Sequence, residues 1–478
     1  MGAGWQLRSR LARYDLLSAV AALLFALAAS IPSARDVLLS GAALAGIAWL
    51  GAQALATDAP GPRARLVMVV ALALLVAVPA FLLSADHGLW NGRFPGIAGG
   101  LLLWSTGACA IALGARLATA SRSRRADDVA RPLAPALPRG RRAQAVVLGI
   151  VLISLAAFVK KVGGPVSYFH NLNNSAATTS GLTYLIWGIS VAKFAAYLRL
   201  SEDWAAARRP GPRTIGLVAV ALLLLLFLGS RLLLIVGLIQ LLLLYAALRP
   251  LGQRFKVSLT ATAAVAIVAF VVIGELRTWQ NIPHHRNFPS YLVNTGLPNL
   301  PRTYVNDYAD AIRLSAIARR VVPHEAPYEN GKEFLRVLLQ PLPSQIRPTV
   351  ATSRGLTAAF TSGNKNGDAL PVPVEGYIEF GIPGAVLLSL LLGVVVGVVD
   401  RLATRARDLG WLTAAIAAGT GAVIVLRGSL AQGIALALID VIGFFVTHRI
   451  LYRTVARGGA VAIAEREPAP AAVAHGTD

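Results

Sequence analysis

Apolar runs long enough to cross a membrane recur along this chain, separated by short arginine-rich connectors, and only Glu275 to Pro371 forms a long polar stretch. A run of roughly 20 apolar residues spans a bilayer as a helix, because no water is present there to satisfy an open backbone. The expected class is therefore all-α, a polytopic membrane protein with one large outer loop. Hydrophobic residues make up 56% of the 478 and charged residues 14%, against about 25% charged in soluble domains.

The run from Leu217 to Leu248 is too long for one ordinary span and divides at Gly229-Ser230-Arg231. Reading the other runs by length and breakers predicts about twelve spans. They are Leu16 to Ile31, Val37 to Ala56, Leu66 to Ser84, Ile97 to Leu117, Ala143 to Val159, Leu182 to Leu198, Ile215 to Leu228, Leu232 to Leu248, Val257 to Gly274, Tyr377 to Val399, Leu412 to Leu426 and Leu430 to Ile450. The first run has a basic front (Arg8, Arg10, Arg13) but no small-residue cleavage pattern, which predicts a retained helix.

Positive charge selects the orientation. Arg63 and Arg65, the cluster from Arg122 to Arg142, Arg208, Arg209 and Arg213, Arg249, Arg254 and Lys256, Arg401, Arg405 and Arg407, and Arg453 and Arg457 all fall on one side of a twelve-span topology. The opposite short loops carry Arg35, Arg93 and little else. Both termini are then cytoplasmic and the long polar loop is extracytoplasmic. The same pattern, facing anionic headgroups, accounts for most of the net charge of +22, and nucleic acid is not expected as a partner. Four regions follow: helices 1 to 9 in residues 1–275, the outer loop in 276–371, helices 10 to 12 in 372–452, and a disordered cytoplasmic tail in 453–478. A Pro- and Arg-rich linker from Ser121 to Arg142 is expected to be locally disordered. The single cysteine, Cys109, excludes an internal disulfide and a Cys-based zinc site. No internal repeat is visible.

Inside the loop, Pro301 to Val322 has helical spacing of Tyr304, Tyr308, Ile312, Leu314 and Ile317, with Pro323 as its stop. A short apolar turn, Glu333 to Leu339, follows. Both suggest amphipathic elements forming a cap at the outer surface. Charges at span ends are the candidate site. Arg231 in Gly229-Ser230-Arg231 and Arg427 in Leu426-Arg427-Gly428-Ser429 stand alone at tight outer turns, where two guanidinium forks could grip one anion. The plainer reading is that each anchors a helix end to headgroups. Lys193, inside a span, is read as snorkelling toward the cytoplasmic face.

Three segments together resemble the O-antigen polymerase (Wzy-type) family of oligosaccharide repeat-unit polymerases. They are Gly229-Ser230-Arg231 followed by an apolar helix to Tyr245, the proline-rich Leu339-Gln340-Pro341-Leu342-Pro343 leading to Pro348, and Val374-Glu375-Gly376-Tyr377-Ile378-Glu379-Phe380-Gly381-Ile382-Pro383-Gly384. Arg427-Gly428-Ser429 before the last span is similar too. The likeness covers roughly residues 180 to 450. The chain departs from the family's pattern where one glycine separates Glu375 from Tyr377 and where Glu379 replaces a neutral residue.

The resemblance implies a glycosyltransferase of the bacterial cytoplasmic membrane. It would polymerise undecaprenyl-diphosphate-linked repeat units at the outer face into a surface polysaccharide, with no cofactor or metal, alongside a flippase and a chain-length regulator. A diphosphate leaving group needs positive charge as the anomeric bond breaks. Candidates to bind it or the sugar are Arg231, Arg427, Arg277, Arg286, Arg347, Arg354 and Tyr377. The acceptor hydroxyl needs a base, for which Glu375, His284, His285 and Glu379 are candidates. The loop offers only Asp307 and Asp310 as a close acidic pair, too few oxygens for a hard cation. An O-antigen-ligase-like glycan transferase and a lipid-linked oligosaccharide flippase remain open as alternatives.

Overall fold

The computed structural model describes residues 2–31, 34–55, 64–80, 97–120, 136–138, 140–164, 183–227, 231–248, 275, 279, 287–299, 302, 310–332, 335, 370–406, 408–426 and 430–454. Twelve helices carry the architecture: α1 (Gly2–Ser30), α2 (Arg35–Leu55), α3 (Ala64–Leu72, continued by a π-turn), α4 (Ile97–Ala120), α5 (Arg141–Lys161), α6 (Thr183–Ala205), α7 (Pro212–Phe227), α8 (Arg231–Leu248), α9 (Asp310–Val321), α10 (Val372–Thr404), α11 (Leu409–Ile424) and α12 (Leu430–Leu451). The described part of every predicted span falls on one of these helices, and Val257–Gly274 lies outside the described residues. Among the described residues four helices are long and apolar enough to cross a membrane: α2, α4, α5 and α10.

Leucines and isoleucines also point outward. Leu387, Leu391 and Val395 form an exposed stripe at i, i+4 spacing on α10, as do Ile434, Leu438, Ile442 and Val446 on α12. On α5, Leu148, Leu152 and Ile153 are likewise exposed. Apolar side chains cover the periphery as well as the core, which a soluble protein does not tolerate over so large an area. The apolar helices mark the chain as a membrane protein.

The contacts fix helix directions. α6, α8 and α12 run parallel: Lys193 meets Asp440, Tyr197 meets Phe444 and Tyr452 reaches Glu202, while Tyr197 lies against Gly237 and Trp204 against Tyr245. α11 runs antiparallel to α12, with Gly421 on Ala437 and Gly410 on His448. α4 runs parallel to the main arm of α10, with Gly107 by Ser389, Ile111 by Gly393 and Ala115 by Gly397. Gly393 and Gly397 form a small-residue pair four apart, which lets the two backbones touch.

Among the described residues one three-residue strand pair lies outside the helices, Ala136–Pro138 (β1) antiparallel to Tyr452–Thr454 (β2). Residues 136–138 of the linker and 453–454 at the start of the tail, expected to be disordered, are therefore paired. Backbone hydrogen bonds tie the linker's end to the chain just after α12.

At one end of the bundle, which carries Arg199, Arg208, Arg401, Arg405 and Arg449, Arg65 is paired with Asp400 at 2.7 Å. Asp400 also accepts from the Ala64 amide at 2.6 Å, so one carboxylate closes the start of α3 and holds it to α10. Arg65 is 6% exposed and so belongs to the packed interior, not to the loose headgroup charges among which the sequence reading counted it. This end is called the basic end below.

Candidate functional site

The predicted span at Tyr377–Val399 conceals a sharp fold. α10 contains two non-helical residues, Phe380 (φ −141, ψ 19) and Gly381 (φ 70, ψ −155), which divide it into arms 372–379 and 382–404. The Gly381 values lie in a region that only glycine occupies without strain. A new helix then starts with Pro383 in its first turn, where a missing N–H costs nothing.

The short arm turns back along the long one. Gly376 packs on Gly384 and Ala385, and Pro373 and Ser389 both lie against Gly107. In one straight helix, residues 373 and 389 would stand about 24 Å apart. The fold-back carries Val372 to the end of α11, where its amide donates to the Val425 carbonyl at 3.4 Å. The end of α11 is thus level with residues near 389 on the long arm, about 12 Å below the Phe380–Gly381 break. It lies recessed, away from the basic end.

Glu375 sits at this recess. It is 9% exposed and accepts from the Leu430 amide, at 2.9 and 3.1 Å to its two oxygens. The carboxylate therefore meets the first turn of α12, where the helix dipole favours negative charge, immediately after Arg427-Gly428-Ser429. The sequence reading placed Glu375 at the start of its own helix; it also binds the start of another.

Tyr377, two residues from Glu375, faces the other side of the short arm, and Glu379 stands at that arm's end. The Tyr377 hydroxyl donates to the Val322 carbonyl at 2.9 Å, just beyond the end of α9. Glu379 is fully buried and accepts a short hydrogen bond from the Gly331 amide, while the Glu329 and Asn330 amides donate to the carbonyls of Ile378 and Glu379. Residues 325–332 are thereby strapped across the α10 break, with Tyr328 packed on Gly381. α9 buries Ile312, Leu314 and Ala318, its backbone at Ile312 lies on Gly100, and the Trp104 indole donates to the Ala311 carbonyl at 3.1 Å. The helix expected over Pro301 to Val322 is present over Asp310–Val321, and its apolar face enters the protein between α4 and α10.

Of the other predicted site residues, Arg231 is the first residue of α8. Arg277, His284, His285, Arg286, Arg347, Arg354 and Arg427 lie outside the described residues. At the start of that loop, Glu275 is buried and accepts from the Tyr291 hydroxyl at 3.0 Å. Burial and then the Glu275 carboxylate push the Tyr291 phenol up to about 12. Among the described residues no group of three or more His, Cys, Asp or Glu side chains could hold a metal.

A second polar centre was missed from the sequence. Lys193 on α6 is 2% exposed, and its ammonium meets both Asp440 oxygens at 2.7 and 2.8 Å. It does not snorkel; it is paired inside the bundle. Gln240 of α8 donates to Asp440 at 2.5 Å and to Thr420 of α11 at 3.0 Å. Phe194 and Phe444 flank the ammonium at 4.7 and 5.9 Å from their ring centroids. An ionised group in hydrocarbon costs roughly 2.5–3.5 kcal/mol on insertion scales, which makes its pairing obligatory. The available signal was one lysine and one aspartate, of opposite sign, each alone in an apolar run.

No protein-family model matches this chain, and neither a curated protein nor a solved structure matches it.

Proposed function

We propose that this chain is a membrane glycosyltransferase that polymerises undecaprenyl-diphosphate-linked oligosaccharide repeat units, at the outer face of a bacterial cytoplasmic membrane, in a topology of about twelve spans with both termini cytoplasmic. One observation carries the reading. The fold-back of α10 brings Glu375 to the Leu430 amide, next in sequence to Arg427-Gly428-Ser429, so one segment that resembles the polymerase family reaches the start of the helix that another precedes.

The reaction assigns each group a task. The acceptor sugar's hydroxyl oxygen attacks the anomeric carbon of the donor glycan as the bond to the diphosphate oxygen breaks. The hydroxyl proton passes to a base, Glu375 or one of His284 and His285, and undecaprenyl diphosphate leaves. Arg231 and Arg427 stabilise its growing negative charge, with Arg277, Arg286, Arg347, Arg354 and Tyr377 binding diphosphate or sugar and no metal taking part.

Purified protein in nanodiscs, given lipid-linked repeat units, should yield a ladder on gels, unaffected by chelator. A single transfer product would assign a ligase instead. Glu375→Gln keeps an acceptor for the Leu430 amide, so the fold should persist while turnover falls roughly 10²-fold or more. Unchanged turnover removes Glu375 as the base and leaves the histidine pair. The buried Lys193–Asp440 pair favours a second reading, a lipid-linked oligosaccharide flippase, because carriers place ionisable pairs between helices. Lipid movement across vesicles without covalent change would establish it.

A further inference from the structure

We infer that Lys193, Asp440, Gln240 and Thr420 form a register lock that sets the first turns of α8 and α12 at one depth. α8 needs such a device. Its sequence, RLLLIVGLIQLLLLYAAL, presents leucine on nearly every face, so against α11 and α12 sliding by one turn exchanges leucine for leucine, and Gly237, packed on Tyr197 and Leu225, fixes it only against α6 and α7. Gln240 is the only polar residue between Arg231 and Tyr245. A lone polar residue in an apolar helix interface is the best-attested means of fixing register, as a single buried Asn does in coiled coils.

The geometry fits this role. Gln240 is fully buried and bridges two other helices, donating to Asp440 of α12 and Thr420 of α11, while Asp440 in turn holds Lys193 of α6. α6, α8 and α12 are parallel. Asp440 lies ten residues into the chain from Leu430, and Gln240 nine from Arg231. At 1.5 Å per residue, the starts of α12 and α8 come out level to within about 2 Å. The lock is far from both starts, yet it decides whether Arg231 and Leu430, the first residues of α8 and α12, stand at the same height. Lys193, Asp440 and Gln240 are thus positioning residues, acting through the helices that carry the turns.

Where this deepens the proposed transferase, it rests on that reading; the test of the lock does not. Full-length protein in nanodiscs, with Cys109→Ala, takes spin labels at Leu233→Cys in α8 and Ile434→Cys in α12, and the label-to-label distance is measured. The parent should give one narrow distribution. Lys193→Met with Asp440→Leu replaces the pair by side chains of similar size, and Gln240→Leu removes the bridge while leaving the pair intact. Both should stay helical and monodisperse, with the distribution broadened or moved by about one turn, roughly 5 Å. Lys193→Asp with Asp440→Lys should restore the narrow distribution, because the Gln240 amide can turn its oxygen to the relocated ammonium. An unchanged distribution in Gln240→Leu overturns the lock even if the double variant fails to fold. A parent with no transferase activity overturns the proposed function and leaves the distance result standing.

Discussion

Two regions of this bundle hold helices together by different means. Between α4 and the long arm of α10 the contact is made by backbone: Gly107, Gly114, Gly393 and Gly397 leave no room for a side chain. Among α6, α8, α11 and α12 close glycine contacts also occur, Gly237 on Tyr197, Gly443 on Phe194 and Gly421 on Ala437, but one buried set of polar side chains joins all four helices. In the first region sterics choose the register, since large residues elsewhere on the helix cannot enter a glycine contact. In the second, α8 is leucine-rich and its one glycine faces α6 and α7, so its direction against α11 and α12 comes from hydrogen bonds and charge. Small residues suffice where helices touch closely; polar residues are added where one apolar surface is monotonous.

The largest effect should come from breaking the polar region on one side only. Asp440→Leu leaves the Lys193 ammonium buried without its carboxylate, and should cost about 3–5 kcal/mol in reversible unfolding from lipid. A cost under about 1 kcal/mol would mean that the lysine finds water and that the region is not sealed. The steric region should yield next. Gly393→Leu drives a side chain into the Ile111 carbonyl, an overpacking worth about 1–3 kcal/mol, with the upper end expected because backbone cannot step aside. Gly393→Ala should cost less than Gly393→Leu; equal costs would show that the seam does not depend on volume.

A smaller effect is expected at the α10 break. Gly381→Ala forces a side chain into φ 70 and toward the Tyr328 ring, and should destabilise by about 1 kcal/mol or more. Protease sensitivity of residues 325–332 reports it directly, and no change there would show that the strap does not depend on the break. The smallest effect is set by pH. The Tyr291 phenol is raised from 10.0 to about 12, so the folded state favours its neutral form. That contribution is fully present below about pH 10 and is lost as pH rises toward 12. Trp279 packs edge-on against Phe288 in the same loop, at 5.6 Å between ring centroids. Its fluorescence, taken as the difference between the parent and Trp279→Phe, should change over that window in the parent and stay flat in Tyr291→Phe.

What was legible in the chain was local. Helix positions followed from apolar length, and the α8 start from Gly229-Ser230-Arg231, because these are properties of consecutive residues. The fold-back at Phe380–Gly381 was hidden inside a run hydrophobic enough to be one span, although Gly381-Ile382-Pro383 is the composition of a stop and a restart. Partners were not legible. Nothing near Lys193 in sequence points to Asp440, 247 residues away, and nothing near Glu375 points to the amide of Leu430. A charge in an apolar run announces that it needs a partner, and only the packing of helices says which one.

The recessed end of α11 has a consequence for the lipid outside. α11 has 16 residues and so spans about 24 Å, against roughly 30 Å of hydrocarbon in an ordinary bilayer. The residues at its end, Ala422 to Leu426, are buried by protein, so acyl chains do not meet them and need not thin to match. A helix enclosed in this way can end short of the headgroup plane without deforming the bilayer, and the response of the protein to bilayer thickness should follow its lipid-facing helices and not the length of α11.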